Sequence, residues 1–263
     1  MTGGRFVRLN PFVANNARVF DYVTGGKDNY DADREAADWL MSAHPQLPRD
    51  FTKAQEFTRR AVRWLGRTGI DQFADLGTGI PRQPYLHEYA PGSRWAYVDN
   101  DLVVAAHAQA LLQLGDGSQV VLADFTEADR LFEKLGHVLD LARPIGVVLG
   151  SVLDFLAKPA QLVEALTDRL TPGSHLVISH AASDIWPERS DALERTFNER
   201  ARMELFPRSS EELRSLLAGW TVVAPGIMGV DRWQAPDMEP GDGRDIASEP
   251  LDPVIYHGVT ARL

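Results

Sequence analysis

Three aspartates stand at the ends of three successive apolar segments, and their positions favour a shared ligand. Asp75 comes just before Gly77-Thr78-Gly79, Asp99 follows Gly79 by 20 residues, and Asp124 ends a third apolar segment. If the segments are parallel strands, their carboxyl ends meet at one edge of a sheet, where ligands of open α/β sheets bind. We therefore expect the three carboxylates to lie around one cleft.

Each carboxylate suits a different part of a nucleoside ligand. Asp75 would repel a pyrophosphate but can attract the ammonium group of an amino-acid moiety. Asp99 stands where a carboxylate holds ribose hydroxyls, and Asp124 suits an adenine amino group. The alternative is that these aspartates cap the helices that follow them. That alternative fits Asp124 well, whereas Asn100 or Asp101 can cap a helix in place of Asp99.

The glycines at 77 and 79 allow a tight turn and a close approach of the backbone to a ligand. A Gly-x-Gly pair also occurs in turns that bind nothing. The dinucleotide fingerprint needs a third glycine three residues after the second, and Arg82 stands at that position. The chain also lacks a Tyr-x-x-x-Lys pair, so the sequence argues against a nicotinamide-dependent oxidoreductase. Pro81 predicts that a helix begins directly after the turn.

From Ile70 onward, short apolar segments alternate with helical patterns, which favours right-handed βαβ units and a parallel sheet. The predicted strands are Gln72–Leu76, Trp95–Val98, Val120–Ala123, Pro144–Leu149 and Ser174–Ser179. The predicted helices between them are Arg82–Tyr89, Leu102–Leu114, Thr126–Leu135 and Ala160–Leu170. Trp220–Ala224 and Val254–Arg262 predict an antiparallel pair. The fold class is therefore α/β, with a doubly wound, mostly parallel sheet and an antiparallel C-terminal edge strand.

The chain before Gly69 has helical patterns instead. The predicted helices are Asn15–Tyr22, ended by Gly25-Gly26, then Ala32–Ala43, capped by Asp31, and Phe51–Arg67, with a break at Pro45 and Pro48. The sequence thus predicts an N-terminal helical extension over residues 1–69 and a core over 70–263, within one structural domain. Gln234–Pro253 is rich in proline, glycine and acidic residues, and we predict a mobile loop there.

The composition limits the kinds of function. The chain has a net charge of -10 and a sequence pI of about 5.2. This argues against a nucleic-acid or anionic-membrane partner, because both need a basic surface. The absence of cysteine excludes thiolate metal sites and cysteine nucleophiles, and no histidine spacing suggests another metal site. No apolar run reaches the roughly 20 residues that span a bilayer, and we expect a cytoplasmic protein.

The motifs resemble those of a known enzyme class. Asp-Leu-Gly-Thr-Gly at 75–79, Val-Asp-Asn-Asp at 98–101 and Ala-Asp at 123–124 are similar to the first three motifs of Rossmann-like, class I methyltransferases. The blocks 17–22, 25–30 and 33–35 resemble the N-terminal signature of one family of predicted S-adenosylmethionine-dependent methyltransferases, common in actinobacteria and long catalogued as a domain of unknown function. Segments 77–81, 97–101, 172–174 and 177–180 match this family as well, so the resemblance covers nearly the whole chain.

The resemblance implies an enzyme that transfers a methyl group from S-adenosyl-L-methionine. It implies that the donor binds to Tyr22, Gly25, Gly26, Asp75, Gly77, Thr78, Gly79, Asp99, Asn100, Asp124, Phe125 and Ser151. Two positions depart from the family's pattern, because relatives often carry Asn-Arg at Ala54-Gln55 and His at Asp154. If these positions shape the acceptor site, this chain uses another acceptor or has lost turnover.

We expect a small-molecule acceptor. A general base helps when the acceptor is a hydroxyl, and His180 is the candidate because its unperturbed pKa is near neutral. The alternative for His180 is a hydrogen-bonded structural histidine. No Asn-Pro-Pro-aromatic tetrapeptide follows the fourth strand, as amide-nitrogen or adenine methylation would suggest. The alternative function is a catalytically silent protein that binds or senses S-adenosylmethionine.

The N-terminal signature lies outside the predicted sheet. We expect Arg18–Tyr30 to fold over the donor as a lid, with Tyr22 and Gly25-Gly26 against its methionine end, because a closed lid excludes water and aligns the acceptor. The alternative is that the segment only packs against the edge of the sheet.

Overall fold

The computed structural model describes residues 10–112, 114–115, 117–236 and 253–263. Its helices are α1 (Asn16–Val23), α2 (Asp31–Ala43), α3 (Leu47–Arg67), α4 (Leu102–Leu111), α5 (Ala128–Leu135), α6 (Pro159–Arg169), α7 (Pro187–Arg195) and α8 (Ser210–Leu216). Its strands are β1 (Gln72–Leu76), β2 (Arg94–Asp99), β3 (Gln119–Leu122), β4 (Gly146–Gly150), β5 (His175–Ala181), β6 (Thr221–Val222), β7 (Met228–Gly229) and β8 (Tyr256–Arg262). Two 3-10 turns, Leu86–Tyr89 and Leu153–Phe155, and a π-helical turn, Thr196–Ala201, complete the elements of the described residues.

Within those ranges, eight strands form one sheet in the order β3-β2-β1-β4-β5-β8-β6, with β7 also paired to β8. The pairs among β1–β5 are parallel, and β8 is antiparallel to β5, β6 and β7. The chain winds outward in opposite directions from β1 and β4, so the carboxyl ends of these strands flank the switch point where ligands bind in doubly wound sheets. The predicted fold class is confirmed.

Helices cover both faces of the sheet. On one face, Phe73, Trp95 and Tyr97 stack with ring-centroid distances of 4.6 Å and 5.3 Å and share a core with α1, α2 and α3. On the other face, Val147 and Leu149 share a core with α5 and α6. Successive strand residues point to opposite faces. A central strand such as β4 is therefore apolar without alternation.

The N-terminal helices lie on the first of these faces. α1 and α2 contact each other, α2 packs against the π-helical turn, and α3 crosses β4, β5 and β8. α3 buries its apolar residues on one side at helical spacing, namely Ala54, Phe57, Ala61, Val62 and Leu65. This helix therefore belongs to the layer that covers the sheet. The proposed division into residues 1–69 and 70–263 stays a prediction.

The segment between β1 and β2 differs from its prediction. Arg82–Tyr89 is not an α-helix, since only Leu86–Tyr89 coil, as a 3-10 turn, and Pro81 does not begin a helix. Pro84 explains the difference, because a proline inside a helix lacks the N–H donor and clashes with the carbonyl four residues earlier. The chain after the glycine turn is instead a loop.

Several boundaries also differ. α5 begins at Ala128 rather than Thr126, and α7, α8 and β7 were not predicted. Pro48 lies in the first turn of α3, where a missing N–H costs little. Tyr30 rather than Asp31 precedes α2 as its cap, and its N–H donates to Asp33 at 2.9 Å. The loop predicted at Gln234–Pro253 falls mostly on residues 237–252, which lie outside the described ranges.

No described helix is long and apolar enough to cross a membrane, and no described group of three or more histidine and acidic side chains is placed to hold a metal ion.

Candidate active site

A cavity of about 430 Å³ opens at the carboxyl ends of β1, β2, β4 and β5, beneath α1 and beside α3. It gathers residues from distant parts of the chain. Eight of the twelve residues that the sequence assigned to the donor line it, namely Asp75, Gly77, Thr78, Gly79, Asp99, Asn100, Phe125 and Ser151.

The turn after β1 needs glycine at two positions for two reasons. Gly77 has φ 74°, and an added Cβ would lie 2.6 Å from a methyl carbon of Val152, so a side chain there would clash with the turn after β4. Gly79 has φ 64°, but an added Cβ would meet no described atom within 4 Å. Its open side therefore leaves the backbone accessible from the cavity.

Asp99 is held by the glycine turn and by its own loop. Its Oδ2 accepts the N–H of Gly79 at 3.0 Å, and its Oδ1 accepts the N–H of Asp101 at 2.9 Å. Burial raises the pKa of Asp99, and these hydrogen bonds partly offset the rise because they favour the ionised form. A carboxylate has about four lone-pair positions, so each oxygen keeps an acceptor position beyond its backbone donor.

Asp75 lies beside Asp99 in the same lining and is nearly inaccessible to water. Burial, followed by repulsion from Asp99, raises the pKa of Asp75 to about 7. Two carboxylates that are desolvated together favour a cation between them, because a cation relieves both effects.

The helix-capping interpretation of Asp99 and Asp124 can be compared with the contacts of these two side chains. Asp101 is the N-cap of α4, since its Oδ1 accepts the N–H of Val103 at 2.7 Å. Asp99 is therefore not needed as a cap. Asp124 lies outside the lining formed by the described residues, and its Oδ1 accepts the N–H and the hydroxyl of Thr126 at 2.9 and 2.6 Å. Asp124 does not cap α5, whose N-cap is Glu127, so its carboxylate instead closes the turn before that helix.

The roof of the cavity is α1, but the residues that face it are not those named from the signature. Phe20, Asp21 and Thr24 line the cavity, while Tyr22, Gly25 and Gly26 are not among the described lining residues. Gly25 has φ 80° and ends α1. At Gly26, an added Cβ would lie 1.8 Å from Asp21 Oδ1. These glycines serve the local turn, because Asp21 folds back over it and accepts the N–H of Asp28 at 2.9 Å.

A buried ion pair anchors the roof. Arg18 Nε donates to Asp33 Oδ2 at 2.8 Å, and the two side chains are 2% and 0% exposed. Asp33 also accepts the N–H of Asn15 at 3.0 Å and the N–H of Tyr30 at 2.9 Å. One carboxylate on α2 thus fixes both ends of the signature segment, which explains these residue types without a ligand.

Two contacts join the roof to the core. Asn15 Nδ2 donates to Asp101 Oδ2 at 3.1 Å. Arg82, which stands where a dinucleotide fingerprint has glycine, donates to the backbone carbonyl and the hydroxyl of Thr24, at the end of α1. A cation at a helix C-terminus is favourable because it meets unpaired carbonyls.

His180 is not among the described lining residues, and its side chain is fully buried. Its Nδ1 lies 2.8 Å from the carbonyl oxygen of Ala181, and its Nε2 lies 2.9 Å from Arg208 Nη1. Burial lowers the pKa of His180 to about 3, so the ring is neutral, with Nδ1–H donating and Nε2 accepting. This is the arrangement of the structural histidine that the sequence offered as the alternative.

Asp154, one of the two departures from the family pattern, belongs to the same buried network. Its Oδ1 accepts the N–H of Ala181 at 3.0 Å and lies 3.1 Å from His180 Nδ1. It therefore orients the end of β5 rather than facing the cavity.

Sequence reasoning missed the contribution of α3. Phe51, Gln55, Thr58 and Arg59 line the cavity, and their spacing places them on one side of the helix. Gln55 is the second departure from the family pattern. The Arg59 guanidinium has no hydrogen-bond or ion-pair partner among the residues that the structure describes. Only a structure could reveal it, because nothing in the sequence separates Arg59 from the neighbouring Arg60.

The comparison with known families decides the identity of this arrangement. A family model described as S-adenosyl methyltransferase matches residues 6–262. The chain belongs to this family. It is an S-adenosylmethionine-dependent methyltransferase, and no observation favours the catalytically silent alternative. No curated protein matches the chain at a significant level.

Solved structures agree with the assignment. A DUF574 family protein from Streptomyces avermitilis is 32% identical over 95% of this chain and 97% of its own, with a TM-score of 0.86. A proposed methyltransferase from Thermobifida fusca is 28% identical over 95% of both chains, with a TM-score of 0.83. The 1,6-didemethyltoxoflavin-N1-methyltransferase of Burkholderia thailandensis, 17% identical over 87% of this chain and 86% of its own, shares the fold with a TM-score of 0.51.

Proposed function

We propose that the cavity holds S-adenosylmethionine along the ends of β1 and β2, beside a small-molecule acceptor at the ends of β4 and β5. The observation that carries the proposal is the fixed carboxylate of Asp99. Two backbone N–H groups orient it at 3.0 and 2.9 Å, and it lines the cavity with acceptor positions to spare. Such a carboxylate suits two ribose hydroxyls, which are paired donors.

The other groups of the donor find matching residues. The sulfonium compound carries an ammonium group, which suits the desolvated Asp75, and an adenine ring, which suits Phe125. The Phe125 ring lies 3.6 Å from the position of an added Cβ at Gly77, so it stands directly against the glycine turn. The open side of Gly79 gives the donor room to approach the protein backbone at this turn.

Bound S-adenosylmethionine supplies a methyl group already activated by the positive sulfur. The chain's own residues then have to bind, orient and exclude water, because an in-line displacement depends mainly on how two reactants are aligned. The roof formed by α1 would exclude water from the reacting atoms. We therefore propose that Arg18–Tyr30 acts as a lid. Phe20, Asp21 and Thr24 would face the donor, whereas the sequence had assigned that contact to Tyr22 and Gly25-Gly26.

The activity is tested by incubating the protein with methyl-labelled donor and an extract of candidate acceptors. We expect label to appear in a small-molecule fraction, and to depend on Asp99. Donor binding without transfer to any fraction would instead favour the silent, sensing alternative.

Donor binding is expected to depend on pH through Asp75. The pKa of free Asp75 is raised to about 7, and a ligand ammonium favours the ionised form, so binding lowers this pKa. Affinity for S-adenosylhomocysteine should therefore rise from about pH 6 to about pH 8, by up to about tenfold per unit below the pKa, and then level off. Asp99, whose pKa is also raised, acts in the same direction.

Calorimetry across this range measures the effect, and Asp75→Asn is the control. The variant should bind more weakly at the upper end, with most of the slope removed. A wild-type affinity that is constant or falls with pH would contradict the role of Asp75.

We propose that Arg59 binds the carboxylate of the donor's methionine end. Its guanidinium lies in the lining of the same cavity and has no partner among the described residues, and charge-assisted bonds to carboxylates are among the stronger ones. Arg59→Gln should weaken S-adenosylhomocysteine about three- to tenfold, while 5′-methylthioadenosine, which lacks the carboxylate, binds as before.

Arg63→Gln is the matched control, one helical turn further along α3. Arg63 stacks over the Tyr89 ring at 5.0 Å and does not belong to the described lining, so its loss should leave both affinities unchanged. If Arg59→Gln lowered the affinity for S-adenosylhomocysteine and for 5′-methylthioadenosine equally, Arg59 would not bind the carboxylate of the donor.

The volume of the cavity and the net charge of the chain support the proposed class of acceptor. A cavity of about 430 Å³ falls within the range of small-molecule sites, and the net charge of -10 supports a small molecule over a nucleic acid. The Burkholderia relative, of the same fold, was solved with a small acceptor and S-adenosylhomocysteine. The cytoplasmic location of the protein stays a prediction.

A further inference from the structure

One end of the cavity has an aromatic wall. Phe20 of α1, Phe51 of α3 and Phe155 of the turn after β4 all line it. Phe20 and Phe51 are stacked, with centroids 4.2 Å apart and planes inclined by 23°, and Phe155 is tilted against Phe20 at 5.9 Å. Phenyl rings that meet from three separate elements form a surface suited to another flat ring, because aromatic pairs gain beyond their buried area.

The same end has a floor of hydroxyl groups. Ser151 and Ser179, after β4 and in β5, line the cavity with their Oγ atoms 3.3 Å apart. Thr58 of α3 lines it as well, and an added Cβ at Gly150 would lie 3.6 Å from Thr58 Oγ1 and 4.0 Å from Ser179 Oγ. Three hydroxyls from three elements thus lie in the lining beside the strand ends.

The backbone at Ser151 is strained. Its φ is 54°, in the left-handed region that costs L-residues energy and that glycine adopts freely. The N–H of Ser151 donates to the carbonyl of Ser179 at 3.0 Å, which holds this conformation. Strain of this kind is found at binding and catalytic sites, where the surrounding structure enforces it. Here it presents a hydroxyl to the cavity where glycine would present none.

This end of the cavity touches the donor end. An added Cβ at Gly77 would lie 2.6 Å from Val152, which directly follows Ser151. The glycine turn and the hydroxyl floor are therefore neighbours, as two reactants that exchange a methyl group must be.

We propose that the phenyl wall and hydroxyl floor form the acceptor subsite, and that the acceptor is an aromatic or heteroaromatic ring with a hydroxyl or amino group on its edge. The inference rests on the proposed function. The ring lies against Phe20 and Phe51, and its edge group exchanges hydrogen bonds with Ser151 and Ser179. The lone pair of that oxygen or nitrogen forms the bond to the methyl carbon, the carbon–sulfur bond breaks with its electron pair going to sulfur, and the acceptor's proton leaves to water.

The test uses the protein saturated with S-adenosylhomocysteine and two neutral probes, naphthalen-2-ol and its saturated decahydro counterpart. Ligand-observed NMR titrations give both affinities. We expect the flat probe to bind at least about fivefold more tightly, since only it can stack on the rings. Ser151→Gly accommodates the same backbone conformation and removes the hydroxymethyl group, and should weaken binding of the flat probe about three- to tenfold, more than it weakens binding of S-adenosylhomocysteine.

Arg202→Gly is the matched control. Arg202 also has φ 54° but is not among the described residues of the lining, so this variant relieves the same strain and should bind both probes as the wild type does. The proposal is overturned if naphthalen-2-ol binds no better than the saturated probe. It is also overturned if Ser151→Gly weakens binding of S-adenosylhomocysteine and spares naphthalen-2-ol, which would return Ser151 to the donor site. Failure of S-adenosylhomocysteine to bind at all would instead identify the proposed function as the error.

Discussion

Asp33→Ala is expected to lower the free energy of unfolding by about 3–5 kcal/mol. The Asp33 carboxylate is fully buried and paired with Arg18 at 2.8 Å, and it also accepts the N–H groups of Asn15 and Tyr30. Removing it leaves the Arg18 guanidinium buried without its anion, and breaking a buried pair from one side is far more costly than losing the pair as a whole. Denaturant unfolding measures the loss.

Asp31→Ala is the matched control on the same helix. The Asp31 side chain is 99% exposed and pairs with Arg34, so its loss should cost less than about 1 kcal/mol. Because the Arg18–Asp33 pair anchors the roof, Asp33→Ala should also weaken binding of S-adenosylhomocysteine, whereas Asp31→Ala should not. If Asp33→Ala and Asp31→Ala were equally stable, the Arg18–Asp33 pair would not anchor the roof. Unchanged donor affinity in a folded Asp33→Ala variant would contradict the lid.

Asp99→Ala is expected to weaken donor binding at least about tenfold, because two charge-assisted hydrogen bonds to the ribose are worth roughly 1.5–3 kcal/mol. The variant should keep a cooperative thermal transition, since Asp101 and not Asp99 caps α4. Isothermal calorimetry with S-adenosylhomocysteine measures the affinity.

Asp124→Ala is the informative comparison, because Asp124 was assigned to the adenine on the same sequence argument. Its Oδ1 is occupied by Thr126 and it lies outside the described lining, so its loss should leave the affinity within about twofold. If Asp124→Ala weakens binding of the donor as much as Asp99→Ala does, Asp124 contacts the adenine, as the sequence predicted.

The sheet and the cavity lining at the ends of β1 and β2 were predictable because they depend on short-range patterns. Strands such as Gln72–Leu76 are recognisable from their apolar sequence, and the glycines and Asp99 from spacing along one βαβ unit. Where Pro84 interrupts a helical pattern, the sequence misled, because the helix pattern was given more weight than the proline.

The acceptor end was not predictable from the same patterns. Phe20, Phe51 and Phe155 are far apart in sequence and meet only because α1 and α3 lie over the ends of the strands. Tyr22, Gly25 and Gly26, which were named from the N-terminal signature, are not among the described lining residues. Arg18, Asp33 and Gly26 form the roof through their own contacts, and a sequence pattern does not distinguish a residue that builds a roof from one that contacts the ligand beneath it. His180 is a similar case, since this residue of β5 is fully buried with its Nε2 beside Arg208.

The position of bound S-adenosylhomocysteine in a crystal of this protein tests the central claim most directly. We expect the ribose hydroxyls of the ligand within hydrogen-bonding distance of the Asp99 carboxylate, and its amino-acid end towards Asp75 and Arg59. We also expect α1 to be closed above the ligand. Density for the ligand outside this cavity, or a ribose turned away from Asp99, would contradict the account.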